Sequence, residues 1–293
     1  MESINTKTIF MVIIFIFLPL LFMAGFATEA SSESLKSPST ELVQLETRPG
    51  VRLKFLLIKP ENPVAVIILL EGGPGKLPLT TVSGEPTIKR GIGFLVRSRE
   101  DFARHGFMVV LLDAPSDKTR MAPIIRTSNE YAQDLGAVVS YLNNKTNLPL
   151  WFVGMSLGSF SASNGVININ EGISGLVLIS SVTRSDKRWA VYSSHPNGIL
   201  SMELDKVKVP ALIVAHKEDE CPDTPASLAP KIEEALVNSP RAEIEYFSGG
   251  KKPKTNPRSP APPGCQPLTQ HGYYGIEDQV ITAIAAFIKS NHK

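Results

Sequence analysis

Hydrophobic positions along this chain fall into short unbroken runs. Pro63-Val-Ala-Val-Ile-Ile-Leu-Leu70, Phe107 to Leu112, Leu150 to Val153, Leu176 to Ser180 and Ala211 to Ala215 are each almost wholly apolar. Runs of this length, without polar alternation, are the signature of strands buried on both faces, as in a parallel sheet. Between them the period changes to that of a helix. Ser128 to Asn143 places Tyr131, Leu135, Val138, Val139 and Leu142 on one side, with Ser128 suited to cap the first turn. Further helices are expected from Phe94 to His105, ending at Gly106, from the turn Gly154 to Gly158 through about Asn164, from about Thr224 to Val237, and from Gly275 to Lys289. Glu243 to Phe247 reads as one more strand. Ahead of all these, Glu41 to Thr47 and Val51 to Ile58 flank Arg48-Pro49-Gly50, a turn signal that predicts an antiparallel hairpin. Strands alternating with helices specify the α/β class, a mostly parallel central sheet covered by helices on both faces, here with an antiparallel hairpin at its start.

The N-terminus departs from this alternation. Ile9 to Phe26 is a nearly continuous apolar run after Lys7, and it ends in Gly25-Phe26-Ala27, whose small residues suit signal peptidase. Residues 1–27 are therefore expected to be a signal peptide, with an uncleaved anchor over residues 9–26 as the rival, since about eighteen apolar residues approach the length that spans a bilayer. Either way the remainder is exported, periplasmic or secreted. Residues 28–40, rich in Ser, Thr and Glu, read as a disordered lead-in, and 41–293 as one folded domain. A formal net charge of +2 over 293 residues gives no basis for nucleic-acid binding.

Two glycine-rich junctions carry candidate chemistry. Gly154-Met155-Ser156-Leu157-Gly158 follows one apolar run directly, so Ser156 stands on a tight strand-to-helix turn. Glu71-Gly72-Gly73-Pro74-Gly75 leaves another run, where glycines let backbone amides face a ligand. A phosphate-binding loop is excluded there, because Leu70 stands where its first glycine should be and Leu77 follows Lys76. In a parallel sheet both junctions open onto the same edge, as does His216-Lys-Glu-Asp-Glu-Cys221.

This combination resembles the α/β-hydrolase family: an opening hairpin, a glycine loop, an elbow serine, then an acid and a histidine in that chain order, over roughly residues 41–290. The resemblance implies Ser156 as nucleophile, Asp219 as the acid and His271 as the base. A serine hydroxyl is a weak nucleophile until an imidazole takes its proton, and a carboxylate holds that imidazole in the required tautomer. It further implies that the amide of Leu157 and one from Gly72 or Gly73 form the oxyanion hole. Glu218, Glu220 and Asp223 crowd around Asp219, and His216 competes with His271, whereas His105, His195 and His292 read as structural or solvated. The glycine loop is also similar to the His-Gly-Gly-Pro-Gly motif of the proline iminopeptidase branch, but Glu71 replaces the histidine and the lid of that branch is missing.

Cys221 and Cys265 are the only cysteines, and in an exported chain such a pair is expected to form a disulfide. It would tie the loop of Asp219 to the loop of His271. Only Val182 to Val209 fills the interval in which a lid could sit. Arg184, Lys187, Arg188, Trp189 and Tyr192 in that interval read first as a solvated basic surface and second as the lining of a shallow entrance. The proline-rich stretch Lys251 to Pro267, carrying Lys251, Lys252, Lys254 and Arg258, must run over the surface beside His271. The chain is thus expected to be an exported serine hydrolase acting on a small-molecule or lipid-like ester, with no metal and no cofactor. An amidase or peptidase using the same residues, or a non-catalytic binding protein, are the alternatives.

Overall fold

A computed structural model describes residues 37–88, 91–169 and 171–291. The expected signal peptide and most of the lead-in lie outside these residues. Strand β1 (Ser39–Arg48) pairs antiparallel with β2 (Val51–Lys59). It begins two residues inside the expected lead-in, so Ser39 and Thr40 belong to the sheet. Next come β3 (Ala65–Leu70), a small separate hairpin of β4 (Leu79–Val82) and β5 (Glu85–Ile88), helices α1 (Phe94–Arg97) and α2 (Arg99–Arg104), and β6 (Phe107–Leu112). Helices α3 (Pro123–Arg126) and α4 (Asn129–Asn143) lead to β7 (Leu150–Met155), α5 (Gly158–Asn168), β8 (Gly175–Ile179), β9 (Ala211–His216), α6 (Ala229–Ala235), β10 (Ala242–Phe247) and α7 (Glu277–Ser290).

The main sheet runs β1-β2-β6-β3-β7-β8-β9-β10. Strands from β6 to β10 along that order are mutually parallel, and β2 opposes both of its neighbours. Side-chain alternation assigns the two faces. Val66, Ile68 and Leu70 of β3 join Met108, Val110 and Leu112 of β6 under α4, α5 and α6. Ala65, Ile67 and Leu69 join Phe107, Val109 and Leu111 under α1, α2 and α7. Every residue of β3, β6, β7, β8 and β9 is buried. That is why these segments lack the polar alternation of a one-sided sheet.

Several boundaries differ from the pattern. The helix expected over Phe94 to His105 breaks at Ser98, whose ψ of 2° lies outside the helical basin and divides α1 from α2. The helix expected from Thr224 starts only at Ala229, because Thr224 turns its hydroxyl into the site described below, and Pro230 suits the first turn of the later start. The β4–β5 hairpin was not anticipated. Its turn residues Ser83 and Gly84 both take positive φ, 51° and 88°, the two-residue turn that matches strand twist. The interval after β8 holds three short 3-10 turns, at Ala190–Ser193, Gly198–Ser201 and Leu204–Lys206, and forms no lid.

Candidate active site

Ser156 takes a positive φ of 52°, a strained conformation for a residue with a side chain. The strain is held by packing on both sides. A Cβ at Gly158 would overlap the carbonyl oxygen of Leu70 at the end of β3, and one at Gly154 would meet the first turn of α5 and Ala162. The two glycines of the pentapeptide are thus demanded by the closeness of β3, β7 and α5. Ser156 N–H donates to Ile179 O at 2.9 Å, which docks the turn on β8. A Cβ added to Gly72 would lie 2.8 Å from that of Ser156, so the glycine loop passes directly over the serine.

Asp219 and His271 meet across 52 residues of chain. His271 Nδ1 lies 2.9 Å from Asp219 Oδ2, with the side chains 3% and 1% exposed. With an ionised carboxylate, which only accepts, and a neutral imidazole, the proton of this bond is on Nδ1 and Nε2 carries the lone pair. Asp219 also accepts from Cys221 N–H and from the Thr224 hydroxyl, both at 2.9 Å. His271 is seated from behind by Ser180, whose hydroxyl donates to His271 O at 3.2 Å and contacts Tyr273 Oη at 3.1 Å. Ser180 follows β8, next to the residue that receives the Ser156 amide. Among the described residues no hydrogen bond joins Ser156 Oγ to His271. Such contacts commonly close only when substrate binds.

The competing residues are engaged elsewhere. His216 is 1% exposed, and its Nε2 contacts Gly249 O at 3.1 Å while Nδ1 accepts Glu218 N–H at 3.2 Å. Burial holds its pKa below the ordinary imidazole value. Glu218 accepts Gly249 N–H through Oε2, and Glu220 is exposed. Asp223 is raised above the usual carboxylate range, chiefly by burial and then by Asp186. His105 caps α2, and His195 packs on Phe160; His292 lies outside the described residues.

At the glycine loop, the candidate donors separate. Gly72 N–H already donates to Glu71 Oε1 at 2.9 Å, and Glu71 Oε2 accepts Val96 N–H at 3.1 Å. Glu71 therefore fastens the loop to α1. Among the described residues, the amides of Gly73 and Leu157 donate to no protein group. A residue that sequence reasoning missed lies behind the loop. Arg126, 2% exposed, donates to Glu71 O at 3.1 Å, Gly73 O at 3.2 Å, Met121 O at 2.9 Å and Ser161 Oγ at 3.1 Å. Burial lowers its pKa to about 10. Thr224 and Ser180 were missed as well. Nothing local in the sequence distinguishes them from other hydroxyl residues at strand ends.

Cys221 and Cys265 form the expected disulfide. Arg184, Lys187 and Arg188 are exposed, and Arg188 pairs with Asp186, whereas Trp189 packs partly on the core. The insert from Lys251 runs over the surface, held by Lys251 N–H to Tyr274 O at 2.7 Å and by the Gln266 side chain, which bonds Asn256 and Ala261. Lys251 and Lys254 both stand over the ring of Tyr274.

No family model and no curated protein sequence matches the chain. Solved structures do. An esterase of Pyrococcus furiosus superposes with a TM-score of 0.59 at 16% identity, covering 88% of this chain and 94% of its own. A dienelactone hydrolase of Anabaena variabilis gives 0.54 at 13% identity, covering 87% and 99%. Dipeptidyl peptidase 4 of Porphyromonas gingivalis gives 0.59 at 13% identity, covering 87% of this chain but 36% of that longer one. At such identities the likeness is one of fold.

Proposed function

Because the chain has the α/β-hydrolase fold, with its glycine loop, turn serine and acid–histidine pair on one edge of the sheet, we propose that it is a serine hydrolase cleaving carboxylic esters. The observation that carries this reading is the buried His271–Asp219 bond, which fixes the proton on Nδ1 and leaves Nε2 to act as base. Ser156 Oγ attacks the ester carbonyl while His271 Nε2 takes its proton. Asp219 stabilises the imidazolium that forms, assisted by the donors Thr224 and Cys221. Leu157 N–H and Gly73 N–H bind the oxyanion, Gly72 N–H being spent on Glu71. Collapse of the tetrahedral species expels the alcohol, which takes the proton from His271. A water activated by the same nitrogen then releases the acid and restores Ser156.

The shortness of the interval after β8, which forms no lid, supports access for a small-molecule or lipid-like ester without movement of a lid. The N-terminal run and the disulfide support export to an oxidising compartment. Among the described residues no helix is long and apolar enough to cross a membrane.

A fluorophosphonate probe tests the reading. Covalent labelling and hydrolysis of short p-nitrophenyl esters are expected in the parent protein, and both are lost in Ser156→Ala with its melting temperature retained. A folded, disulfide-intact parent that takes no label would refute it. Matched ester and amide substrates distinguish an esterase from an amidase working through the same residues.

A further inference from the structure

We infer that Arg126 is a positioning residue that holds the two halves of the oxyanion hole in register. This rests on the serine-hydrolase reading above. The two donors belong to separate pieces of chain: Leu157 N–H sits at the start of α5, and Gly73 N–H on the loop after β3. Arg126 is bonded to both pieces. Its guanidinium donates to Glu71 O and Gly73 O on the loop and to Ser161 Oγ on α5. Its own backbone is tied to α5 as well, since Asn164 Nδ2 donates to Arg126 O at 3.0 Å.

The peptide planes follow from these bonds. Arg126 draws the carbonyls of Glu71 and Gly73 to the side away from solvent, and Gly75 N–H holds Gly72 O at 3.2 Å. The carbonyl of the Gly72–Gly73 peptide is thereby directed into the turn, and the amide at its other end is left free. Three successive carbonyls are fixed, and the glycines acquire separate reasons. Gly72 gives way to Ser156, Gly73 takes a φ of 55°, and Gly75 leaves room for the guanidinium, which a Cβ there would overlap. A cation taken so fully out of water is costly, and no carboxylate among the described residues accepts a hydrogen bond from it. A planar group with five donors reaches four acceptors on three segments at once. A lysine ammonium has no such fork.

Arg126→Lys and Arg126→Gln, each in the full chain, test this by two measurements. Hydrogen exchange read by mass spectrometry over residues 71–76 should accelerate while the strands keep their protection. On a p-nitrophenyl ester, kcat should fall about 100- to 1,000-fold with KM nearly unchanged, and affinity for an aryl boronic acid, which presents a tetrahedral anion to the same donors, should fall in parallel. Active-site titration with the fluorophosphonate corrects for any inactive fraction, so a merely structural role would leave the corrected kcat alone. If both variants fail to fold, Ser161→Ala removes the guanidinium's bond to α5 together with the Ser161–Tyr131 hydrogen bond and should lower kcat about tenfold, whereas Tyr131→Phe, which loses only the second of these, should leave kcat unchanged. Unchanged exchange over 71–76, or an unchanged corrected kcat in a folded variant, overturns the inference. A parent that takes no label at all refutes the hydrolase reading instead, and exchange over 71–76 still decides whether Arg126 is the clamp.

Discussion

His271 and His216 stand at neighbouring positions of the sheet edge, and the difference between them is a matter of one ring nitrogen. Both nitrogens of His216 are occupied by backbone groups, and its burial favours the neutral form. His271 spends Nδ1 on Asp219 and, among the described residues, makes no hydrogen bond through Nε2. Residue type alone therefore says little; the partners decide. Asp113 makes the same point for carboxylates. Placed after β6, it accepts the amides of Leu77 and Ala114 through one oxygen, both at 2.7 Å, yet burial outweighs these bonds and raises its pKa above the ordinary 3.8. The folded protein thus holds this proton more tightly than the unfolded chain, and stability from this group is lost as pH rises through the raised value. Asp113→Asn has no such titration and keeps the accepting oxygen. Its stability relative to the parent, from urea melts, should improve as pH rises above the ordinary carboxylate value; a difference independent of pH would contradict the assignment.

At the scale of elements, the turn between β7 and α5 shows why a pentapeptide can specify a site. Gly154 and Gly158 are required by neighbouring backbone and side chain, and the strained φ of Ser156 is imposed by that packing. Gly158→Ala would place a methyl group on the Leu70 carbonyl, and a loss of about 3 kcal/mol or more is expected in chemical denaturation. Gly50 offers a contrast. It also has a positive φ, 71°, but a Cβ there meets nothing within 4 Å, so Gly50→Ala should cost only the left-handed backbone term of about 1–2 kcal/mol. Equal losses at the two positions would show that packing is not what fixes the elbow. The proline-rich insert and the β4–β5 hairpin mark the limit of pattern reading at this scale. The first is legible as a surface loop because closely spaced prolines can continue neither a sheet ladder nor a helix interior. The second was passed over because four-residue strands carry too little alternation to stand out.

Across the whole molecule, the acid and histidine loops arrive from separate crossings of the sheet and are joined by Cys221–Cys265, 44 residues apart. Cross-linking a loop of that size restricts the unfolded chain by about 4 kcal/mol in the loop-entropy account. Reduction, or replacement of both cysteines by serine, should lower stability by up to that amount. Turnover should fall too, because Cys221 N–H is one of the donors to Asp219. Undiminished turnover after both thiols are alkylated would mean that the sheet alone sets the geometry.

Much of this was legible in the chain itself. Unbroken apolar runs fixed the strands of the parallel sheet, because a strand covered on both faces has no place for a polar residue. Strand-exit glycines marked Ser156 and the loop beside it, since close packing at Gly72, Gly154 and Gly158 and positive φ at Gly73 and Gly75 admit little else. The resemblance to the α/β-hydrolase family implied Ser156, Asp219 and His271 in that chain order, and the pairing of the two cysteines followed from their being the only two in a chain expected to be exported. Tertiary structure decided what depends on partners distant in sequence. It separated Gly73 from Gly72 through the Glu71 carboxylate, Asp219 from its acidic neighbours through His271 and Thr224, and His271 from His216 through their ring contacts. Arg126 is the clearest case. In the sequence it is one arginine at the end of a four-residue helix; only folding buries it and gives it the carbonyls of a loop more than fifty residues away.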